Sequence, residues 1–349
     1  MVKSREVHLK SRPTGAITPN DFELVTVDVP APRENEVLVK NLWMSIDAGQ
    51  RTLMGTGERD LGDLPPKRFA LNEPMEGQAV GQVIESRSPI VPVGTYVVSN
   101  CGWREYFTHA ATPNRFTFNL ITKPVAPLQT YLHLLSIYGA SAYFHVTEGA
   151  QVKAGETVWI STAAGATGSI ACQIAKMSGC RVVGTTGSDE KVKWLLRELK
   201  IDAAANYRKE NLRAVLQAAC PDGIDVYLDY AGGEQLELAI DLMNPHGRIV
   251  KVGETSTYDG GAARGPNNMF ALVLKRVQIR GFSVFDFLEP ASWMTVFEKR
   301  MSRWIAEGKI KMHETIYEGI ENAVQAQIDL FRGKNIGKML VKLGEEEMA

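Results

Sequence analysis

TVWISTAAGATGSIACQIAKMSGCRVVGTTGSDEKV, residues 157–192, is the stretch whose reading decides the fold. Val158, Trp159 and Ile160 form a short apolar run with β-branched character, the pattern of a buried strand. A glycine-bearing turn follows. Ile170, Ile174, Ala175 and Met177 then fall on one face at helical spacing. Gly179 closes that helix and residues 181–184 open a second strand. Strand, turn, helix and strand in this length make a βαβ unit.

The turn reads A-x-G-x-x-G, with Ala163 where a glycine usually stands, then Gly165 and Gly168. Gly165 lets backbone approach a pyrophosphate, and Gly168 lets the helix pack close to the strand. The helix start offers free N–H groups and the positive end of its dipole to phosphates. A glycine triplet alone is weak and fits an ordinary βα turn; between a strand and a helix it becomes a dinucleotide fingerprint. An NAD site usually has an acid at the end of the second strand. Here that strand ends in Thr185-Thr186-Gly187-Ser188, and Asp189 and Glu190 fall in the first turn of a helix capped by Ser188. Lys191, in the same turn, is placed to meet a 2′-phosphate or to be a solvated helix lysine. The pattern favours NADPH.

Outward from this unit, strand and helix patterns alternate. Residues 191–199, 212–219 and 234–243 read as helices. Residues 203–207, 224–229, 248–252 and 277–282 read as strands. The alternation predicts an α/β fold with a doubly wound parallel sheet. Residues 20–110 instead hold short strands with turns between them and no helices: 22–29, 36–42, a glycine-interrupted 77–85, 94–99 and 103–108. That pattern predicts a second, mostly β, barrel-like domain. Residues 51–74 form a long polar loop. Residues 111–127 read as a connector, and 128–138 as a helix stopped by Gly139, with a second starting near Ser141. After Pro290 come helices over 292–307 and 320–331 and a last strand, 338–343, which returns the chain to the first domain. The domains are then 1–128 plus 305–349, and 129–304 for the dinucleotide.

The chain has 349 residues and is 44% hydrophobic, enough for two ordinary globular domains. A formal net charge of −1 gives no electrostatic case for nucleic acid or an anionic membrane. No run of about 18 apolar residues suggests a membrane span. The polar N-terminal stretch lacks a signal-peptide core, so the expectation is a cytoplasmic protein. Cys101, Cys172, Cys180 and Cys220 include no C-x-x-C pair, and the six histidines include no H-x-x-x-H pair. No metal site is expected.

Several blocks in order resemble the zinc-independent branch of the medium-chain dehydrogenase/reductase superfamily. That branch includes prostaglandin reductases, leukotriene B4 12-hydroxydehydrogenases, plant alkenal double-bond reductases and bacterial curcumin reductase. The blocks are Asn41-Leu42-Trp43-Met44-Ser45-Ile46-Asp47, Gly139-Ala140-Ser141-Ala142-Tyr143-Phe144, Ala163 to Ser169, and Gly187-Ser188-Asp189-Glu190-Lys191. They continue with Gly253-Glu254-Thr255-Ser256-Thr257-Tyr258 and Gly333-Lys334-Asn335-Ile336-Gly337-Lys338. The resemblance covers nearly the whole chain and implies a Rossmann domain with a GroES-like barrel. It implies that Ala164, Gly165, Ala166, Thr167 and Gly168 line the pyrophosphate. It puts Lys191 on the 2′-phosphate, with Gly187, Ser188 and Tyr207 near that end. Gly253, Thr257, Phe285, Asn335 and Asn41 complete the implied cofactor set. One departure stands out. The family often continues Asp-Pro-Tyr-Met-Arg, with its tyrosine in the substrate pocket; here the stretch is Asp47-Ala48-Gly49-Gln50-Arg51, so the pocket should open on that side.

The implied reaction is NADPH-dependent reduction of the carbon–carbon double bond of an α,β-unsaturated aldehyde or ketone. Hydride goes to the β-carbon, and a donor aimed at the carbonyl oxygen steadies the enolate. Tyr258, in a polar glycine-rich loop over 255–268, is the candidate catalytic donor, since a phenol is a neutral donor near pH 7. Its bland alternative is a surface tyrosine. Trp103, Tyr106 and Phe69 offer either an apolar substrate wall or barrel core. Three rivals stay open: a quinone reductase on the same scaffold, an NADP-linked alcohol dehydrogenase, and a non-catalytic NADPH-binding protein. The resemblance also implies a homodimer paired through the 277–282 edge strand.

Overall fold

The computed structural model describes residues 1–55, 68–115, 117–209, 211–262, 264–289 and 291–345. Residues 56–67 of the long 51–74 loop, Pro290 and the end of the acidic tail therefore lie outside the described residues. The chain divides into two units. One comprises residues 1–132, 258–260 and 314–349; the other comprises 133–257 and 261–313.

The second unit is built on six parallel strands. Their spatial order is Ala203–Asn206, Arg181–Thr186, Thr157–Ile160, Ile224–Asp229, Met243–Lys251 and Gln278–Gly281. In chain order this is 3-2-1-4-5-6, the doubly wound Rossmann arrangement. Its topological switch point lies at Thr157–Ile160, where ligands bind beyond the strand ends. That central strand is buried on both faces. A large core of Ile170, Ile174, Phe144, Phe297 and their neighbours covers one side. Trp159, Tyr227, Leu216 and Ile240 pack in a second cluster on the other.

Two expectations here need correction. The predicted helix over 128–138 is a 3₁₀ turn, Leu128–Leu132, followed by a separate helix, Ile137–Phe144. Ser136 caps that helix by accepting a hydrogen bond from the Tyr138 amide, and Gly139 lies inside it. Gly139 is a packing glycine, not a stop: a Cβ there would fall 1.9 Å from the Leu134 carbonyl oxygen. The polar loop after Met243–Lys251 also begins with a helical turn, Thr255–Tyr258.

The first unit is mostly β. A seven-stranded sheet runs Glu314–Glu318, Lys338–Lys342, Glu36–Ile46, Ala79–Ser86, Tyr96–Ser99 and Phe118–Ile121, with Tyr106–Ala110 also paired to Glu36–Ile46. Val2–Leu9 and Phe22–Val29 form a separate antiparallel pair. Residues 118–121, read as connector, are a strand, and the strands at 2–9 and 314–318 were not foreseen. In 314–318 no residue is fully buried, so the sequence carries little apolar alternation. The last strand does join the first unit, antiparallel to Glu36–Ile46. Gly81 keeps its place because a Cβ would meet Val39 at 2.6 Å and the Lys40 carbonyl oxygen at 2.7 Å, where the Glu36–Ile46 pairing shifts register. Trp103 is fully buried and Phe69 nearly so, which makes both barrel core.

A buried charge cluster ties this unit's last strand to its third. The Lys338 ammonium donates to Asp47 Oδ1 at 2.9 Å and to the Ile46 and Met339 carbonyls. Ser45 and Gln327 add bonds to Asp47. Nearby Glu314 is lifted to about 7 by burial, against the pull of Gln129 and Lys338. Its folded form therefore holds a proton more tightly than the unfolded chain, so stability falls as pH rises through about 7. Glu314→Gln is expected to raise stability by about 1–3 kcal/mol near pH 8 and not near pH 4. Thermal melts at the two pH values check this.

No helix of the described residues is long and apolar enough to cross a membrane.

Candidate functional site

The helix Ala166–Met177 starts directly beyond the central strand, with extended Gly165 as its N-cap. Its first amides have no partner within the helix and point out of its start. The missing first glycine has a local explanation. Thr162 carries the left-handed conformation of the turn, at φ +46°. Ala163 is fully buried, and its methyl sits 2.7 Å from where a Gly184 Cβ would be. The second strand thus supplies the space that Ala163 takes. Gly168 is locked in: a Cβ would fall 2.4 Å from the Thr162 carbonyl oxygen. At Gly165 an added Cβ meets only that same oxygen, at 3.2 Å, so the backbone is open to an approaching ligand. Ala164 is buried beneath this turn, and Ala166 and Thr167 are half-buried on its first helical turn.

The second strand, Arg181–Thr186, leads into Gly187 and the helix Asp189–Arg197. Ser188 caps this helix by accepting from the Lys191 amide. Asp189, the acid nearest the strand end, is already engaged. Its carboxylate accepts from Asn206 Nδ2 and Lys209 Nζ, both at 2.6 Å. What remains free of acid is cationic. Lys191 is 9% exposed, and its ammonium is pulled down to about 8, first by burial and then by the Arg208 charge. Arg208 lies over the Tyr207 ring at 5.9 Å. A Cβ on Gly187 would fall 3.2 Å from both Arg208 Nε and the Tyr207 hydroxyl. Gly187, Ser188, Lys191, Tyr207 and Arg208 therefore converge. Among the described residues neither Lys191 nor Arg208 has an ion-pair partner. Glu190 acts on Lys191 only as the smallest of the three causes, after burial and Arg208. Two cations held together fit a phosphate; they do not fit a ribose diol. Arg208 is the residue that sequence reasoning missed. A lone arginine in a turn gives no signal until the fold sets it beside Lys191.

A further group surrounds the end of the strand Ile224–Asp229. Fully buried Asp229 accepts from the Tyr227 hydroxyl, from the Ala231 and Gly232 amides, and from Lys251 Nζ at 2.8 Å. Lys251 also donates to the Gly253 carbonyl. The Thr255 and Ser256 amides bond the Tyr230 and Ala231 carbonyls. Gly253 and Thr257 are fixed by this network, with the Thr257 hydroxyl donating to the Glu254 carbonyl. Phe285 stands on a short 3₁₀ turn, Val284–Phe287, and packs on the unit's main core.

The other candidates belong to the first unit. Half-buried Tyr258 precedes Asp259, which accepts from the Ile17 amide and from Arg51. Asn41 is 1% exposed, and both its amide hydrogens are committed, to the Cys101 and Arg104 carbonyls at 2.8 Å. Asn335 is buried and donates to the Gly337 carbonyl. Gly49 sits at the start of the helical turn Gln50–Leu53, where an added Cβ meets nothing within 4 Å. Tyr106 is half-buried in a barrel strand. Among the described residues, no group of three or more His, Cys, Asp or Glu side chains is placed to hold a metal ion.

Comparison with known proteins finds relatives over nearly the whole chain. Residues 5–117 match the family described as the N-terminal domain of oxidoreductase, and residues 166–303 the family described as zinc-binding dehydrogenase. The chain is 37% identical to the NADP⁺-dependent 2-alkenal reductase of Nicotiana tabacum, over 99% of each chain. It is 35% identical to prostaglandin reductase 1 of Bos taurus, over 98% of this chain and all of that one. Its structure superposes on CurA of Vibrio vulnificus, crystallised with NADPH, with a TM-score of 0.89. That match is 31% identical and covers 98% of this chain and 99% of the other.

Proposed function

The chain belongs to the zinc-independent branch of the medium-chain dehydrogenase/reductase superfamily, and we propose that it reduces the carbon–carbon double bond of α,β-unsaturated aldehydes or ketones with NADPH. The observation that carries the cofactor half of this reading is the pair of cations Lys191 and Arg208 beside Gly187 and Tyr207. The names of the tobacco and bovine relatives supply the substrate class.

In this reading the backbone of 164–168 at the helix start holds the pyrophosphate. Lys191 and Arg208 take the 2′-phosphate, and Ser188 and Tyr207 flank it. Gly253, Thr257 and Phe285 border the nicotinamide half. Asn41 and Asn335 complete the cofactor set: Asn41 keeps its Oδ1 without a hydrogen-bond partner among the described residues, and Asn335 has one amide hydrogen bonded, to the Gly337 carbonyl. NADPH, when bound, supplies hydride for the β-carbon. Tyr258 donates a hydrogen bond to the carbonyl oxygen while negative charge builds there. A solvent proton then reaches the α-carbon, so the double bond gains one hydride and one proton. NADPH oxidation across a panel of enals, enones and quinones tests the reading. Turnover of quinones alone, or of none of them, would contradict it.

Gly49 sets a second expectation. A Cβ added there meets nothing within 4 Å, so Gly49→Tyr starts its side chain in open space. It is expected to favour small enals over bulky enones by about tenfold in kcat/KM, the scale on which pocket filling discriminates. Steady-state kinetics on a chain-length series checks it.

We also propose a homodimer. The strand Gln278–Gly281 is exposed along its whole length and, among the described residues, pairs on one side only. Nearby, Phe270 is 70% exposed and Val273 65%. An open strand edge beside bare apolar side chains is a surface that proteins cover. Sedimentation at micromolar concentration is expected to show a dimer, and Phe270→Asp with Val273→Asp a monomer. A monomeric wild type would refute the pairing.

A further inference from the structure

We infer that Arg51 and Asp259 form a positioning pair that fixes Tyr258, an inference that deepens the functional reading above and rests on it for the role of the tyrosine. Residues 258–260 belong to the first unit. There the Asp259 carboxylate accepts from the Ile17 amide at 2.9 Å and from Arg51 Nε at 3.3 Å. The Arg51 guanidinium also donates to the Gly15 carbonyl at 2.6 Å and the Pro13 carbonyl at 3.4 Å. Its side chain is only 8% exposed. One residue on, Gly260 holds φ +84°, and a Cβ there would fall 3.0 Å from the Gly15 carbonyl carbon.

The 258–260 segment is thus seated on residues 13–17 by a charge pair, a backbone bond and a glycine contact. The pair stands beside the candidate donor in sequence, and Arg51 lies two residues from Gly49. A buried guanidinium is costly to hold unless its donors are satisfied. Here two backbone carbonyls and one carboxylate take its Nε and Nη2 hydrogens. That arrangement gives the segment one seated position instead of several. Fixing matters because an oxyanion donor works only at the place where charge develops, and a displacement of about 1 Å costs about 100-fold. Arg51 and Asp259 themselves move no proton and touch no reacting atom in this scheme. They act through Tyr258.

The test uses full-length protein labelled with 3-fluorotyrosine, with the Tyr258 ¹⁹F resonance assigned by its loss in Tyr258→Phe. Asp259→Asn keeps the side-chain shape and removes the charge. It is expected to shift or split the Tyr258 resonance, to lower kcat on an enone by about 10- to 100-fold, and to leave NADPH affinity within about twofold. Placed on Tyr258→Phe, the same change should lower the residual rate by less than about twofold, because the two act as one unit. Arg51→Lys should retain more activity than Arg51→Met. An unmoved Tyr258 resonance in Asp259→Asn would overturn the inference. So would an equal loss of rate with and without the Tyr258 hydroxyl. If wild-type protein reduces no enone, the functional reading fails, and the ¹⁹F response alone then decides whether the pair seats Tyr258.

Discussion

Lys191→Ala combined with Arg208→Ala is expected to weaken NADPH binding by about 10²- to 10⁴-fold while changing NADH binding by less than about threefold. Each lost charge-assisted bond to a phosphate is worth about 1.5–3 kcal/mol, and the 2′-phosphate is the only group that distinguishes the two cofactors. The pair also predicts a pH dependence with a definite sign. Without ligand, burial and the Arg208 charge hold Lys191 down at about 8. A bound dianion favours the ammonium and raises that value, so binding takes up a proton above about pH 8. NADPH affinity should therefore weaken as pH rises past about 8, by up to tenfold per unit. NADH affinity should stay flat over the same range. Lys191→Arg should remove the slope, since a guanidinium does not titrate there. Titration calorimetry of both cofactors across pH checks all three outcomes. Equal losses for NADH and NADPH would place the 2′-phosphate elsewhere.

Tyr258→Phe is expected to lower kcat on an enone by about 10²- to 10³-fold, the usual cost of one lost oxyanion donor. The cofactor dissociation constant should be unchanged, because the substitution removes a hydroxyl and keeps the ring. A fall in kcat and kcat/KM by the same factor would mark an interaction made only in the transition state. Rapid mixing of bound NADPH with substrate isolates the hydride step from product release. Unchanged single-turnover rates would remove Tyr258 from the chemistry. The segment after Tyr258 is tied down through Asp259, so a loss of rate in Tyr258→Phe would reflect the hydroxyl itself.

The parallel sheet was legible because its strands are buried runs. Ile224–Asp229 and Leu212–Ala219 fall where periodicity places them. A strand covered on both faces announces itself as continuous apolar sequence, and the intervening helices repeat every few residues. The β unit was less legible. Glu314–Glu318 buries no residue fully, so tertiary pairing with Lys338–Lys342 makes it a strand. Gly139 was misread because a glycine needed for close backbone approach looks, in sequence, like a glycine that ends a helix. At the candidate site, the glycine turn and Lys191 could be read locally, since Lys191 starts the helix that directly follows the βαβ unit. Arg208 could not. Its role depends on the turn after Ala203–Asn206 returning to the end of the neighbouring strand. Asn41 lies in a recognisable block, and only the fold shows that its two amide hydrogens go to the Cys101 and Arg104 carbonyls while its Oδ1 has no partner among the described residues.

The most direct measurement follows deuterium from NADPH dideuterated at C4 into a 2-alkenal. A saturated aldehyde carrying one deuterium at the β-carbon is the predicted product. An allylic alcohol labelled at the former carbonyl carbon, or no consumption of NADPH at all, would contradict double-bond reduction by this chain.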